Sequence, residues 1–556
     1  MSILSCFPFP KFRVNQKDAL ELIEEALSHG YEYSIVEGPC GFGKTPPSYA
    51  AALYYNPSYI LTTEKVLQRQ FMTEHGHAGD IAVIKGRGNY MCGHGPYTCD
   101  KGECIIGKCP DATKCEYNQA KEHALSSKII LTNYVYCLFM KRFSEEFEPR
   151  KLMVCDECHS IEGTIMNFIN VKMRSDRLRQ FGLPPDIPDY EKGEDYVDWM
   201  NKILSEIPLL VNVNDSKIKE IQEDWSRTQI KKRDEIEGLK WQNQQLESIE
   251  KKIERFIESS DDVMWIPDLQ RDINGETNDS KVLNFKPIDV STFADRVLLN
   301  HAKQKVMFSA TILNKNMFCK SLGIDPSKAH FVRVPSTFAR KNRRLHLVES
   351  GSMKYSEEAA SLPQYMKDVD KILDLFSEEK GMIYTNKYAI SKYIMDNAGL
   401  EHRWRLITHT SKNREDILEE FKLSPDPLVL VTASLGQGVS LDDDLARFQI
   451  ITKIPYANTQ DPQVKARADM DRWWYNCDAC TRLEQIAGRC VRSKDDHCEI
   501  FLMDSRFYSF IVKQNHDVLH DYFVNAVVPG RLDLERVCVD EDSRLQLLAK
   551  REECYK

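Results

Sequence analysis

Eight consecutive residues, Gly38-Pro39-Cys40-Gly41-Phe42-Gly43-Lys44-Thr45, have the spacing G-x-x-x-x-G-K-T. Glycine in this pattern lets backbone N–H groups turn inward around phosphate oxygens. Tyr33 to Glu37 reads as a short buried strand, and a helical segment follows Thr45, which is the context a P-loop needs. Gly38, Gly41 and Gly43 are therefore expected to shape a nucleotide cradle. Lys44 is expected to reach the β- and γ-phosphates of ATP, and the Thr45 hydroxyl to hold Mg²⁺. Pro46 and Pro47 sit in the first helical turn, where amides have no intrahelical partner and proline costs little. A second strand, Lys151 to Cys155, ends in Asp156-Glu157-Cys158-His159. Asp156 is expected to hold Mg²⁺ through its water shell. Glu157 is expected to position and deprotonate the attacking water.

Asp-Glu-x-His resembles the acidic box of superfamily 2 helicases, and further matches follow in order. Arg13 and Gln16 resemble the R-x-x-Q element that contacts the nucleotide base. Thr62, Leu67 and Gln70 resemble a motif that contacts single-stranded nucleic acid. Ser309-Ala310-Thr311, after an apolar strand from Lys305 to Phe308, resembles the S-A-T motif that couples hydrolysis to strand movement. Gly381 to Asn386, Leu428 to Val431 and Gln449 to Ile454 read as core strands of a second α/β unit. Gln485-Ile486-Ala487-Gly488-Arg489-Cys490-Val491-Arg492 resembles motif VI, Q-x-x-G-R-x-x-R. The spacing of Arg489 and Arg492 predicts both on one helix face. The resemblance implies that Gln485, Arg489, Arg492 and His159 complete the catalytic set. Arginine fingers of this kind are worth roughly 10³–10⁵ in rate. Ser434 to Ser440 lies where motif V belongs, with Gly438 a nucleotide-site candidate; Gln437 and Ser440 stand where the family commonly has Glu and Asp.

Cysteines bear on a second chemistry. Cys92, Cys99, Cys104, Cys109 and Cys115 fall within 24 residues, five of the chain's 17 cysteines. In a reducing compartment such thiolates hold a structural metal or a cluster. The Cys104-x₄-Cys109-x₅-Cys115 spacing, with Cys92 following Gly86-Arg87-Gly88-Asn89-Tyr90, resembles the XPD/DinG family of iron–sulfur helicases, in particular its DinG branch. The resemblance implies that Cys92, Cys104, Cys109 and Cys115 hold a [4Fe–4S] cluster. Cys99 is left over as a nearby thiol or takes the place of Cys92, and Zn²⁺ is the chemical rival. Cys155-x₂-Cys158 and Cys477-x₂-Cys480 read as ordinary buried thiols.

The elements that must position these residues are an α/β pair of RecA-like P-loop domains. The expected division is 1–85, 119–165 and 281–330 for the first domain, interrupted by the cluster insertion 86–118 and a helical arch 166–280. The second domain spans 331–535 and a tail 536–556. Asp215 to Ser259 has no proline and carries apolar residues at helical spacing (Ile218, Ile221 and Trp225; Leu246, Ile249, Ile253 and Phe256), which predicts an antiparallel helical hairpin. Lys231-Lys232-Arg233 reads as a solvated charge run, and Arg340-Lys341-Asn342-Arg343-Arg344 as a basic linker or phosphate-contacting patch. The 556 residues are 42% hydrophobic and 29% charged, a globular balance. No apolar run is long enough to cross a bilayer, and Met1 to Arg13 lacks the order of a secretory signal. The expected compartment is the cytoplasm, or the nucleus in a eukaryote. A net charge of −9 does not itself suggest nucleic acid, but phosphate contact needs only a local positive groove.

The resemblance implies an ATP-dependent DNA helicase moving 5′-to-3′ as a monomer on single-stranded DNA, acting at ss/dsDNA junctions, with RNA–DNA hybrids as further candidates. A translocase that strips nucleoproteins shares every motif. A redox-responsive binding protein with a vestigial ATPase is disfavoured by the intact Lys44, Asp156, Glu157, Arg489 and Arg492. Anaerobically purified protein is expected to be brown and to contain iron and acid-labile sulfide in equal amounts. Zinc without iron in an active preparation would remove the cluster assignment.

Overall fold

A computed structural model describes residues 2–39, 41–102, 111–144, 146–223, 229–271, 280–410, 412–434, 439–493 and 495–540. Tyr33–Glu37 (β1) and Ser58–Thr62 (β2) are buried along their whole length, as strands covered on both faces must be. Ile81–Val83 (β3), Ile129–Asn133 (β4) and Arg150–Cys155 (β5) follow. The chain then leaves this layer for Val171–Arg174 (β6), Trp265–Arg271 (β7) and Lys281–Pro287 (β8), an antiparallel sheet in the order β6-β8-β7. It returns as Ala302–Ser309 (β9) and Ala329–Arg333 (β10). The first main sheet runs β10-β1-β9-β5-β2-β4-β3, all parallel. β1, β9 and β5 are thus adjacent, with Glu37 beside Ser309 and Cys155 beside Met307. The P-loop, the acidic box and the S-A-T segment all leave the same carboxyl edge of one sheet, where open α/β sheets bind ligands.

A second parallel sheet repeats the plan with Arg343–Gly351 (β11), Gly381–Tyr384 (β12), Leu406–Thr408 (β13), Val429–Thr432 (β14), Phe448–Ile451 (β15), Cys498–Asp504 (β16) and Val527–Arg531 (β17). Its order is β13-β14-β12-β15-β16-β11-β17. The two sheets form the expected pair of RecA-like α/β domains. The basic segment ending in Arg344 is not a linker from Arg343 onward: it is the start of β11. β16 supplies the compensating carboxylate, because Glu499 accepts from Arg344 Nε at 3.0 Å and pairs with His346 Nε2 at 2.6 Å. Leu345 and Leu347 are buried between these polar positions.

The hairpin is longer than its sequence pattern suggests, with helices Val197–Glu223 and Gln229–Ser259; the first tolerates Pro208 inside it. Its base is an aromatic cluster in which Phe285 lies 4.7 Å from Phe256 and 5.4 Å from Trp265, ring centre to ring centre. Higher up, the buried amides of Asn214 and Asn243 meet, Asn214 Nδ2 donating to Asn243 Oδ1 at 2.7 Å. Asn243 Nδ2 then donates to Asp215 Oδ1 at 2.9 Å. Arg233 is buried, not solvated. Its guanidinium donates to the Lys101 carbonyl and lies 3.9 Å from the Tyr97 ring centre, so the hairpin rests on the cysteine-rich insertion. Residues 541–556, most of the expected tail, lie outside the described residues. Among the described residues no helix is long and apolar enough to cross a membrane. Truncating Phe285 to Ala is expected to cost about 3–5 kcal/mol, because its ring joins the hairpin base to the antiparallel sheet. Urea unfolding of the variant beside the parent measures this.

Candidate functional site

A cleft of about 390 Å³ opens between the two main sheets. Its first wall is the P-loop, which turns through left-handed backbone at Gly41 (φ 83°) and Gly43 (φ 73°). A Cβ on Gly41 would sit 2.3 Å from the Phe338 ring and 3.1 Å from the Arg492 carbonyl, so glycine is required by both φ and space. Thr45 opens the helix Thr45–Tyr54, whose first turn accommodates Pro46 and Pro47 as expected. Gly41, Gly43, Lys44 and Thr45 line the cleft. Gly38 stands behind it, its amide donating to the Ser309 carbonyl at 2.8 Å.

Gln16 braces this loop from outside. Its Nε2 donates to the Phe42 and Gly43 carbonyls at 3.0 and 2.8 Å, and its Oε1 accepts from the Arg13 amide at 2.8 Å. Arg13 reaches the cleft itself. Both ends of the Gln16 amide are thus engaged with main chain. Leu67 and Gln70 line the cleft, and Thr62 is buried at the end of β2.

Asp156 and Glu157 follow β5 directly. Glu157 has φ 50°, a left-handed conformation rare for a non-glycine residue and common at active sites. Its carboxylate pairs with Lys44. Burial would raise the Glu157 pKa, but Lys44 first, then His159, reverse this and hold the group well below the usual carboxylate range. Burial dominates at Asp156 and raises its pKa despite Lys44. Asp156 Oδ1 is buried with no hydrogen-bond partner, an orphan that a divalent cation and its waters would satisfy. The donor set therefore fits Mg²⁺ held by Asp156 and Thr45.

Behind the carboxylates a polar relay crosses the cleft. His159 Nδ1 lies 2.8 Å from Ser309 Oγ. The Thr311 amide donates to Ser309 Oγ at 3.1 Å, and Gln485 Nε2 of the second domain donates to Thr311 Oγ1 at 2.9 Å. Burial lowers the His159 pKa to about 4, so its ring is neutral at physiological pH. The relay joins the acidic box, the S-A-T segment and the motif VI glutamine through neutral hydrogen bonds.

Arg489 and Arg492 line the opposite wall. They do not share a helix face. The helix Arg472–Ala487 stops at Gly488; Arg489 lies in the turn that follows and Arg492 in the irregular segment after it. The chain straightens there to enter β16. Motif V holds the arginines, Arg489 Nη1 donating to the Val439 carbonyl at 2.9 Å and Arg492 Nε to Ser440 Oγ at 3.0 Å. Ser440, where the family commonly has an acid, thus supports Arg492. Gly438 and Gln437 lie outside the described residues. Arg343, Glu484 and Tyr522 also line the cleft; of these only Arg343 was named from sequence, within the basic run. A basic run was the only signal for Arg343, and nothing local marks the other two.

In the cysteine-rich insertion, Cys99 and Cys115 are buried with sulfurs 3.6 Å apart. Cys92 flanks them across a small turn, its amide donating to the Tyr97 carbonyl at 2.7 Å while the Cys99 amide donates to the Tyr90 carbonyl at 2.8 Å. Cys104 and Cys109 lie outside the described residues. Among the described residues no group of three or more His, Cys, Asp or Glu is gathered to hold a metal. Cys155, Cys158, Cys477 and Cys480 are buried, as expected of structural thiols.

Two parallel sheets with a P-loop, an acidic box and paired arginines across one cleft have the parts of an ATP-hydrolysing helicase. Residues 368–516 match the family model for the helicase C-terminal domain. The chain is 22% identical to a probable ATP-dependent helicase, MJ0942, of Methanocaldococcus jannaschii, an alignment covering 92% of this chain and 96% of that protein. It is 20% identical to the ATP-dependent DNA helicase YoaA of Haemophilus influenzae, covering 85% and 88%. A solved XPD helicase superposes with a TM-score of 0.63 at 15% identity, covering 92% of this chain and 98% of that one. Over most of its length the chain is thus similar to ATP-dependent helicases of the DinG, YoaA and XPD kind. Replacing Glu157 by Gln is expected to leave ATP binding in place and to lower turnover by roughly 10²–10⁴. Nucleotide binding by fluorescence and phosphate release measure the two separately; near-parental release would exclude Glu157 as the base.

Proposed function

We propose that this protein hydrolyses ATP to move 5′-to-3′ along single-stranded DNA, parting duplex at ss/dsDNA junctions, D-loops or R-loops. The observation that carries the reading is the unbroken contact path from His159 through Ser309 and Thr311 to Gln485. It gives the state of the phosphate site a mechanical route into the second domain. The P-loop amides bind the triphosphate, and Lys44 exchanges its ion pair with Glu157 for the β/γ-phosphates. Glu157, released from Lys44, orients the attacking water and accepts its proton. Asp156 and Thr45 would hold Mg²⁺, which would supply charge neutralisation at the phosphates. Arg489 and Arg492 meet the γ-phosphate as the domains close and lose it on hydrolysis, so each turnover opens and closes the seam.

The cysteine-rich insertion is proposed to carry a [4Fe–4S] cluster on Cys92, Cys104, Cys109 and Cys115. The buried Cys99–Cys115 contact makes Cys99 the competing ligand. The cluster would stiffen the insertion against which the hairpin rests. The working form is proposed to be a monomer of the cytoplasm, or of the nucleus in a eukaryote. A duplex with a 5′ single-stranded tail is expected to be separated in the presence of ATP and Mg²⁺, and one with a 3′ tail is not. Affinity for an oligonucleotide should fall steeply as salt rises, since its contacts are mainly to phosphate. Tail preference of the opposite sense would overturn the polarity. ATP-driven streptavidin release without strand separation would favour a nucleoprotein remodeller.

A further inference from the structure

His520 lies between two carboxylates that come from different domains. Its Nδ1 is 2.6 Å from Glu484 Oε2, and its Nε2 is 3.0 Å from Glu37 Oε2. Its own amide donates to Glu484 Oε1 at 2.8 Å. All three side chains are buried. Glu37 ends β1, immediately before the P-loop. Its Oε1 accepts from the Ile312 and Leu313 amides, both at 2.6 Å, so it fixes the main chain just beyond Ser309-Ala310-Thr311. Glu484 immediately precedes Gln485, the residue that reaches Thr311. The imidazole therefore ties the root of the P-loop and the S-A-T segment to the helix that leads into the arginine pair.

We propose that His520 is a positioning residue that couples closure of the two domains to the catalytic cleft, acting as a buried cationic bridge between Glu37 and Glu484. It touches neither the nucleotide-binding P-loop nor the finger arginines. Two carboxylates facing opposite ring nitrogens require both nitrogens to donate, which only the imidazolium does. The surrounding charges agree. Arg333 Nε donates to Glu37 Oε2 at 2.7 Å, Tyr522 OH donates to Glu484 Oε2 at 3.1 Å, and Arg343 lies 4.5 Å from the Tyr522 ring centre. Burial would lower the His520 pKa, but Glu484 and then Glu37 reverse this and push it up to about 10. Because the bound value is raised, the bridge is intact at neutral pH and is lost as pH rises toward about 10. A buried pair of this kind is costly to break by removing one partner, which suits a contact that must form in one arrangement of the seam.

This inference rests on the motor reading above and is tested with the full chain. The measurements are ATP turnover with and without a single-stranded DNA oligonucleotide, KM for ATP, thermal midpoint, and closure by a fluorophore pair spanning the two domains on adding a non-hydrolysable ATP analogue. His520→Gln cannot donate to both carboxylates. It is expected to lower the DNA-stimulated kcat by roughly tenfold, the scale of an ordinary coupling, with KM within about twofold and with weakened closure. His520→Arg, a cation with several donors, is expected to recover much of that loss and to remove the decline of the parent's stimulation toward pH 10. Glu37→Gln keeps an oxygen for the Ile312 and Leu313 amides but loses the charge facing His520. It serves as the second variant if His520→Gln fails to fold, with the same predicted loss. If either folded variant closes and is stimulated like the parent, the bridge is only structural and the proposal falls. If the Gln variant loses thermal stability and basal and stimulated turnover in equal proportion, the proposal also falls. A parent protein that no oligonucleotide stimulates would instead overturn the motor reading, and the closure assay would then decide the bridge alone.

Discussion

Burying several charges at one seam is the constraint from which the rest of this structure follows. Lys44, Asp156 and Glu157 on one side and Arg489 and Arg492 on the other are withdrawn from bulk water into a cleft. Taking an ion out of water costs several kcal/mol even after relaxation, unless a partner is provided. Some partners are internal, such as Lys44 for Glu157. Asp156 Oδ1 lacks one. A triphosphate with its cation brings charges of the right sign to this arrangement, so ligand binding and domain approach draw on the same electrostatic deficit.

Parallel sheet geometry explains why so few contiguous residues suffice. The ends of β1, β5 and β9 sit side by side, so three short segments far apart in sequence are delivered to one edge. The second sheet delivers β16 and the arginine turn to face that edge. Neither domain needs long loops to build its half. The insertions can therefore project from the first domain without disturbing the site, the cysteine-rich one between β3 and β4 and the helical hairpin between β5 and β9.

Legibility in the sequence followed the same division. The P-loop, the acidic box and the prolines of the first helical turn could be read because each depends on neighbours along the chain. The hairpin was legible from its apolar spacing, although its first helix starts earlier, at Val197, across a proline that normally argues against helix. Arg489 and Arg492 were placed in the correct cleft but on the wrong element, since Gly488 ends the helix where periodicity alone would continue it. β11 was hidden because a run of basic residues reads as a linker or phosphate-contacting patch until Glu499 arrives from a distant strand to pair with it. The Glu37, Glu484 and His520 arrangement has no sequence signature at all. Its members come from three remote segments and are meaningful only once the domains have met.

The paired amides of Asn214 and Asn243 have a mechanical consequence for the hairpin they join. Asn214, Asn243 and Asp215 meet in this one alignment of the two helices. Sliding one helix along the other by a turn would strand both amides among hydrocarbon, a penalty of about 1–3 kcal/mol for each group left without a partner. The helices are consequently geared together. Force arriving at the Arg233 end reaches the aromatic base as a tilt of one stiff strut, with no telescoping between its two halves.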